Sequence, residues 1–297
     1  MRNRLKLALP FLMAILLVGM LGIPSCSYAS PSLIPMDTPA MTPTNMPTVT
    51  TTPAQNDTSP GPLPLGMPGN WKLVFTDEFD GTTLNLADWC PNWVDGSSCS
   101  EVTAPVNPNE EAAYDPAQVS ISEGSLHLTL IDKPVMVNGK TYPYRSGMVQ
   151  TNGKVGQTPM HQFTYGAFEA RIFLPGADGK IYNWPAWWTD GQHWPTDGEM
   201  DIVEGMSGLV QYHFHSDQTN DGSGPGGDYT GWHTYGADWE KGKVIYYYDG
   251  KPVGVLDWGI TDAPMYLILN YATGGCCSGE TVAPGSMLID YVHVWQH

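Results

Sequence analysis

From Gly69 to His297 the chain consists of short apolar runs separated by tight-turn dipeptides, and no long helical period appears anywhere in that span. Trp71-Lys72-Leu73-Val74-Phe75, Leu126-His127-Leu128-Thr129-Leu130, Val244-Ile245-Tyr246-Tyr247-Tyr248 and the run from Met287 to Trp295 alternate, or are dense in β-branched and aromatic residues. That is the pattern of half-buried strands. Asn138-Gly139, Asn152-Gly153, Asp178-Gly179, Asp249-Gly250 and Gly274-Gly275 punctuate the runs. Asp249-Gly250, between Tyr248 and Val253, is expected to close a β-hairpin. A span of roughly 230 residues with this spacing fits one all-β domain, a sandwich or barrel of antiparallel sheets.

The chain ahead of that span reads differently. Arg2, Arg4 and Lys6 precede an apolar run from Leu7 to Ile23, and Ser27-Tyr28-Ala29 supplies small residues for a cleavage point. Residues 1–29 are therefore expected to be an export signal. Ile23-Pro24-Ser25-Cys26 also has the form of a bacterial lipobox, in which Cys26 becomes a lipidated N-terminus. The globular part is then either secreted or held at the cell surface through Cys26, and membrane contact is expected only in the second case. Residues 30–66 are rich in Pro and Thr. Such a segment buries too little apolar surface to offset ordering entropy and favours an extended spacer. The folded domain is placed at 67–297.

Thirty acidic against 13 basic residues give a formal charge of -17. This argues against the basic stripes that phosphate backbones require, so no nucleic-acid partner is expected. Among polysaccharides it favours a neutral one over a sulfated or uronic one. Beyond Cys26, four cysteines remain: Cys90, Cys99, Cys276 and Cys277. An exported chain favours disulfides, and four cysteines allow three connectivities. Cys90 with Cys99 closes a short loop. The adjacent pair forms either a vicinal bridge or two bonds to the earlier cysteines.

The chemistry concentrates in Trp184-Pro185-Ala186-Trp187-Trp188 and Gly198-Glu199-Met200-Asp201-Ile202-Val203-Glu204-Gly205. On a strand Glu199 and Asp201 share a face, whereas strict alternation sends Glu204 to the other. One extra residue, a β-bulge at Ile202-Val203, returns Glu204 to the acidic face. Three acids crowded on one face repel one another, so their presence points to use rather than to stability. Two glutamates across a sugar can cleave it with retention, one attacking and the other protonating the leaving oxygen, when about 5–5.5 Å separates them. Asp201 between them would help hold their protonation states apart.

Glu199-Met200-Asp201-Ile202-Val203-Glu204 resembles the bulged Glu-x-Asp-x-x-Glu signature of glycoside hydrolase family 16, the laminarinase and lichenase family. Further segments resemble the family in the expected order. They are Leu73 to Phe79, Asn109-Glu110 with Tyr114, Ser146-Gly147, Tyr165 to Arg171, and Leu269-Asn270 through Asp290 to Val294. The resemblance implies a concanavalin-like β-jelly-roll sandwich of two curved antiparallel sheets with an open cleft. It implies Glu199 as nucleophile, Asp201 as its assistant and Glu204 as acid/base, without any cofactor for the chemistry.

The bulged form points to a laminarinase-like enzyme acting on β-1,3 or mixed 1,3-1,4 glucan, although galactan hydrolases share it. A polysaccharide partner and a monomeric state are expected. Trp184, Trp188 and Trp194 are candidate sugar-stacking residues, with core packing as the alternative for the first two. His213 and His215 share a face, so one is expected in the cleft; both as metal ligands is the rival reading. Asn270 and Asn109 match cleft positions. Asp290 and Gly124, with Glu78, match a structural Ca²⁺ site. Ala112, Ala113 and Cys276-Cys277-Ser278 depart from the family pattern beside the cleft and bear on subsite preference. A non-catalytic carbohydrate-binding module on the same fold is the competing class, though such modules typically lack the acidic pair. A transglycosylase uses the same residues with sugar in place of water.

Overall fold

The computed structural model describes residues 61–275 and 277–297. The export segment, Cys26, most of the Pro/Thr-rich stretch and Cys276 lie outside them, and with these the expectations on secretion, lipidation and the adjacent cysteines. Fourteen strands build the two main sheets: β1 Lys72–Asp77, β2 Val119–Ser122, β3 Ser125–Leu130, β4 Met148–Gln150, β5 Gly166–Leu174, β6 Trp184–Asp190 and β7 Glu199–Met206 in the first half. They continue as β8 Leu209–His215, β9 Asn220–Ser223, β10 Gly231–Glu240, β11 Lys243–Tyr248, β12 Lys251–Leu256, β13 Tyr266–Ala272 and β14 Gly285–Gln296. An eight-stranded sheet runs β12-β11-β10-β5-β14-β3-β2, with β1 also paired to β14. A six-stranded sheet runs β9-β8-β7-β6-β13-β4, and every pairing within the two sheets is antiparallel. This is the all-β sandwich among the alternatives the strand pattern left open, and the jelly roll that the family resemblance implied.

The alternation read from sequence becomes the core. Trp187, Met200, Ile202, Val203, Phe214 and Leu269 of the six-stranded sheet meet Phe168, Ile172, Tyr235, Tyr246 and Tyr248 of the other, all essentially buried in one cluster. Each large apolar side chain so removed from water contributes about 1.5–3 kcal/mol before its ordering cost. The hairpin at Asp249-Gly250 forms as expected, pairing Tyr248 with Lys251. Both turn residues have positive φ, 48° and 72°, the geometry for which Asp-Gly is suited.

The fold begins earlier than the boundary at 67. Trp295 Nε1 donates to Pro62 O at 2.7 Å, and Leu65 N donates to Glu169 Oε2 at 2.6 Å. Gly66, with φ 72°, lies so close to Gly250 that a Cβ would sit 2.0 Å from its carbonyl oxygen. The final residues of the Pro-rich stretch are therefore packed on the domain.

Cys90 and Cys99 form a disulfide, the short loop among the alternatives. The residues matched to a calcium site are otherwise engaged. Asp290 Oδ2 accepts from Arg171 Nη1 at 2.7 Å, and Glu78 Oε1 lies 2.5 Å from His293 Nε2. Gly124, in the β2–β3 turn, has Asp80 rather than either of them beside it.

Candidate active site

Strand β6 shows how the cleft is made. Trp184, Ala186, Trp188 and Asp190 line it, while Trp187 is in the core between the sheets. A period of two places even positions outward and odd positions inward. Strand β7 cannot follow that rule throughout, and its pairings record the break. Asp201 faces His213 and Glu204 faces Gln211, so Ile202 and Val203 together oppose Tyr212 alone. On the other side Trp188 faces Asp201 and Trp187 faces Val203, leaving Ile202 unmatched. The bulge thus lies at Ile202-Val203, both of these side chains enter the core, and Glu204 returns to the cleft with Glu199 and Asp201.

A bulge frees ladder hydrogen-bonding groups that still need partners. The Tyr248 hydroxyl, fully buried on β11 of the opposite sheet, lies 3.0 Å from Ile202 O and 3.2 Å from Gln211 O. It donates its proton to this pair of carbonyls and ties the bulge to the core. Tyr246, two residues earlier on the same face, donates to His213 O at 2.7 Å. Sequence reasoning missed this role, although the alternation of Tyr246 and Tyr248 in a tyrosine run carried the signal.

The cleft holds about 650 Å³. Glu204 has Trp184 Nε1 donating to Oε1 at 2.7 Å and His213 Nδ1 at 3.3 Å from Oε2. Trp184 is thereby a partner of the carboxylate more than an open stacking platform. Asp201 is buried, and His215 Nε2 lies 3.1 Å from its Oδ2 and 3.9 Å from Glu199 Oε1. Burial pushes Glu199 well above the ordinary carboxylate range, with the Asp201 charge adding to the effect and His215 opposing it. Burial likewise raises Asp201, helped by the Glu204 charge. Burial and their mutual repulsion therefore disfavour full ionisation of Glu199 and Asp201 together.

Asp190 was not singled out from sequence, yet it stands opposite Glu199 in the β6–β7 register and lines the cleft. Burial pushes its carboxyl up to about 7. Tyr266 donates to Oδ2 at 3.1 Å, and Oδ1 has no hydrogen-bond partner. The two-residue step from Trp188 to Asp190 would have found it.

The remaining expected residues divide. Trp194 lines the cleft and is 60% exposed, as a stacking residue should be. Trp188 lines it too, but Trp93 stacks on its ring with centroids 6.0 Å apart, so the exposed aromatic surface there belongs to both rings. Its Nε1 donates to Asn270 Oδ1 at 2.7 Å, Asn270 Nδ2 donates to Tyr114 Oη at 2.9 Å, and Tyr114 Oη donates to Glu110 Oε2 at 2.5 Å. Asn270 is thus a cleft-wall residue in a buried network. Glu110, raised to about 7 by burial, is its far end. Asn109 does not line the cleft: it is exposed and its N–H is spent on Asn107 Oδ1, while Asn107 and Glu110 form the wall. The turn there sends Asn107, Pro108 and Glu110 to the wall and Asn109 to solvent, a detail that matching by motif could not resolve. His213 and His215 both face the cleft.

Comparison with known proteins agrees with this geometry. The XgeA-like catalytic GH16 domain matches residues 175–223, which hold β6 and β7. Endo-1,3-1,4-beta-glycanase ExsH of Rhizobium meliloti is 30% identical over 251 residues, covering 75% of this chain and 51% of that protein. The chain therefore spans about half the length of that relative. Beta-glucanase of Rhodothermus marinus is 28% identical over 76% of this chain and 86% of its own length. The laminarinase catalytic domain of Thermotoga maritima superposes with a TM-score of 0.63 at 28% identity, covering 77% of this chain and 99% of that one. With the ordered motifs, the bulged acidic strand and these relatives in agreement, the chain belongs to glycoside hydrolase family 16.

Proposed function

We propose that the protein is an exported endo-glycosidase that cleaves internal β-1,3 or mixed 1,3-1,4 linkages of a β-glucan with retention of configuration. The observation that carries this reading is the bulge at Ile202-Val203, which turns Glu199, Asp201 and Glu204 together into a cleft. The substrate class rests on the glucanases among its relatives.

In the first step Glu199 attacks the anomeric carbon while Glu204 gives its proton to the departing glycosidic oxygen. A covalent glycosyl-enzyme forms, and the shortened chain leaves from the other side of the broken bond. In the second step Glu204 takes a proton from water, the water oxygen attacks the same carbon, and the Glu199 carboxylate departs. The nucleophile must be ionised although burial pushes Glu199 up. Asp201 and Asp190, raised by the same burial, hold protons in our assignment, and His215 supports the charge on Glu199. Trp184 Nε1 fixes one oxygen of Glu204, which leaves the other for proton transfer.

The test is turnover of laminarin, lichenan, agarose, carrageenan and xyloglucan by wild type and by Glu199→Gln. Proton NMR of the first product reads the anomeric configuration. Activity on laminarin or lichenan, a β-anomer formed first, and an inactive variant are expected. Equal turnover by Glu199→Gln overturns the mechanism. Turnover confined to a galactan overturns the substrate, and growth of added acceptor oligosaccharides in place of hydrolysis reassigns the reaction as transglycosylation.

A further inference from the structure

Beyond what the two-glutamate chemistry uses, two imidazoles and a buried aspartate converge at one point of the cleft. His213 and His215 are two apart on β8 and so present both rings to the cleft, centroids 5.7 Å apart and 30° from parallel. Asp201 lies directly across the strand pair from His213. One ligand atom from each of the three residues falls within 4.8 Å of the other two, and His215 Nε2 is 3.1 Å from Asp201 Oδ2. Four-coordinate zinc, with bonds of about 2.0–2.1 Å, sets neighbouring ligand atoms roughly 3.3 Å apart. One pair is already near that spacing, and side-chain adjustment alone can bring in the third.

A second observation points the same way. Asp201 is 4% exposed, yet its Oδ2 accepts no hydrogen bond of good geometry, and the buried His213 Nδ1 makes none. Each of these two atoms has an ionic neighbour but no well-directed hydrogen bond, so each keeps capacity for a ligand. Two imidazoles and one carboxylate select a borderline-soft ion such as Zn²⁺ or Cu²⁺ over Ca²⁺ or Mg²⁺, which need oxygen cages.

We propose that Asp201, His213 and His215 form an inhibitory site for a first-row transition cation of the zinc type in the cleft floor. The binding site stands independently of the glucanase reading, whereas its effect on turnover rests on that reading. A cation there draws His213 from Glu204, engages Asp201 beside Glu199 and occupies space beneath the sugar.

Chelator-treated full-length protein is titrated with ZnCl₂ by calorimetry, as wild type, Glu199→Gln, His213→Gln and His215→Gln. Wild type and Glu199→Gln are expected to bind one Zn²⁺ alike, and each histidine variant to bind at least about tenfold more weakly. Laminarin turnover should fall on adding Zn²⁺ and return with EDTA. No binding by wild type up to about 1 mM, or undiminished binding by both folded histidine variants, overturns the site. A variant-free arm guards against misfolding: Co²⁺-loaded wild type should show intense tetrahedral visible bands, and only weak octahedral bands overturn it. Zn²⁺ binding without loss of turnover overturns the inhibitory role. Should wild type cleave no glucan at all, the glucanase reading fails while the calorimetry still decides the site.

Discussion

Two strands of this molecule carry a bulge beside an acidic residue, and they have opposite consequences. On β14 the extra residue is Asp290, between Ile289 and Tyr291, which pair with Ile172 and Arg171. Its carboxylate is about a third exposed and is met at 2.7 Å by Arg171, a guanidinium that also lies over the Trp232 ring at 4.6 Å. On β7 the bulge gathers Glu199, Asp201 and Glu204, with Asp190 across the strand, and among the described residues no arginine or lysine lines that cleft. Beside the same backbone irregularity, one acid is paired with a guanidinium at the surface and the others are crowded together and buried. A bulge re-aims side chains, and what makes a reactive site is acid density that burial prevents from ionising freely.

Substitutions that break this contrast should differ widely in effect. Glu199→Gln or Glu204→Gln removes a reacting group and is expected to lower kcat about 10³-fold or more, read with laminarin at saturating concentration. Thermal unfolding of the two variants should stay close to wild type or rise, since each relieves repulsion.

Asp190→Asn removes one acid from the crowd and carries a pH signature. The folded-state carboxyl is pushed up to about 7 from an ordinary 3.8. Its stabilising contribution is therefore complete below 3.8 and is lost as pH rises through about 7. Urea denaturation should show wild type losing stability across that window, by at most about 4 kcal/mol at 1.36 kcal/mol per unit. The Asn variant should be flatter there and the more stable of the two at pH 8. An unchanged slope would show that Asp190 is ionised in the folded state.

Tyr248→Phe leaves every carboxylate in place and loosens only the tie on the bulge. It should cost about 1–3 kcal/mol of stability, because buried carbonyls lose their donor. If the bulge drifts, kcat should fall about ten- to hundredfold with KM little changed. Tyr246→Phe, which frees the His213 carbonyl instead, should cost similar stability with a smaller loss of kcat. At the other bulge, Asp290→Asn breaks a half-exposed ion pair and should cost no more than about 1 kcal/mol, with turnover unaltered.

Much of the site was legible because strand alternation is a local property. The three acids, the need for a bulge between them and the shared face of His213 and His215 follow from a period of two. Asp190 was equally legible on β6 but was overlooked beside the tryptophans. Trp188 illustrates what local pattern cannot carry: its alternation puts it in the cleft, but Trp93, distant in sequence, decides how much of its ring is open. Asn109 failed for a related reason, since a turn sets which of neighbouring residues faces inward.

By itself the sequence determined the all-β class, the hairpin at Asp249-Gly250 and the acidic face of β7, since each depends on spacing along one strand or turn. Only the tertiary structure decided which hydroxyl ties the bulge, how far Pro62 to Met67 pack onto the domain, and that Asp290 and Glu78 turn to Arg171 and His293. Those outcomes depend on side chains brought together across the sandwich from distant parts of the chain, and no local period records such meetings.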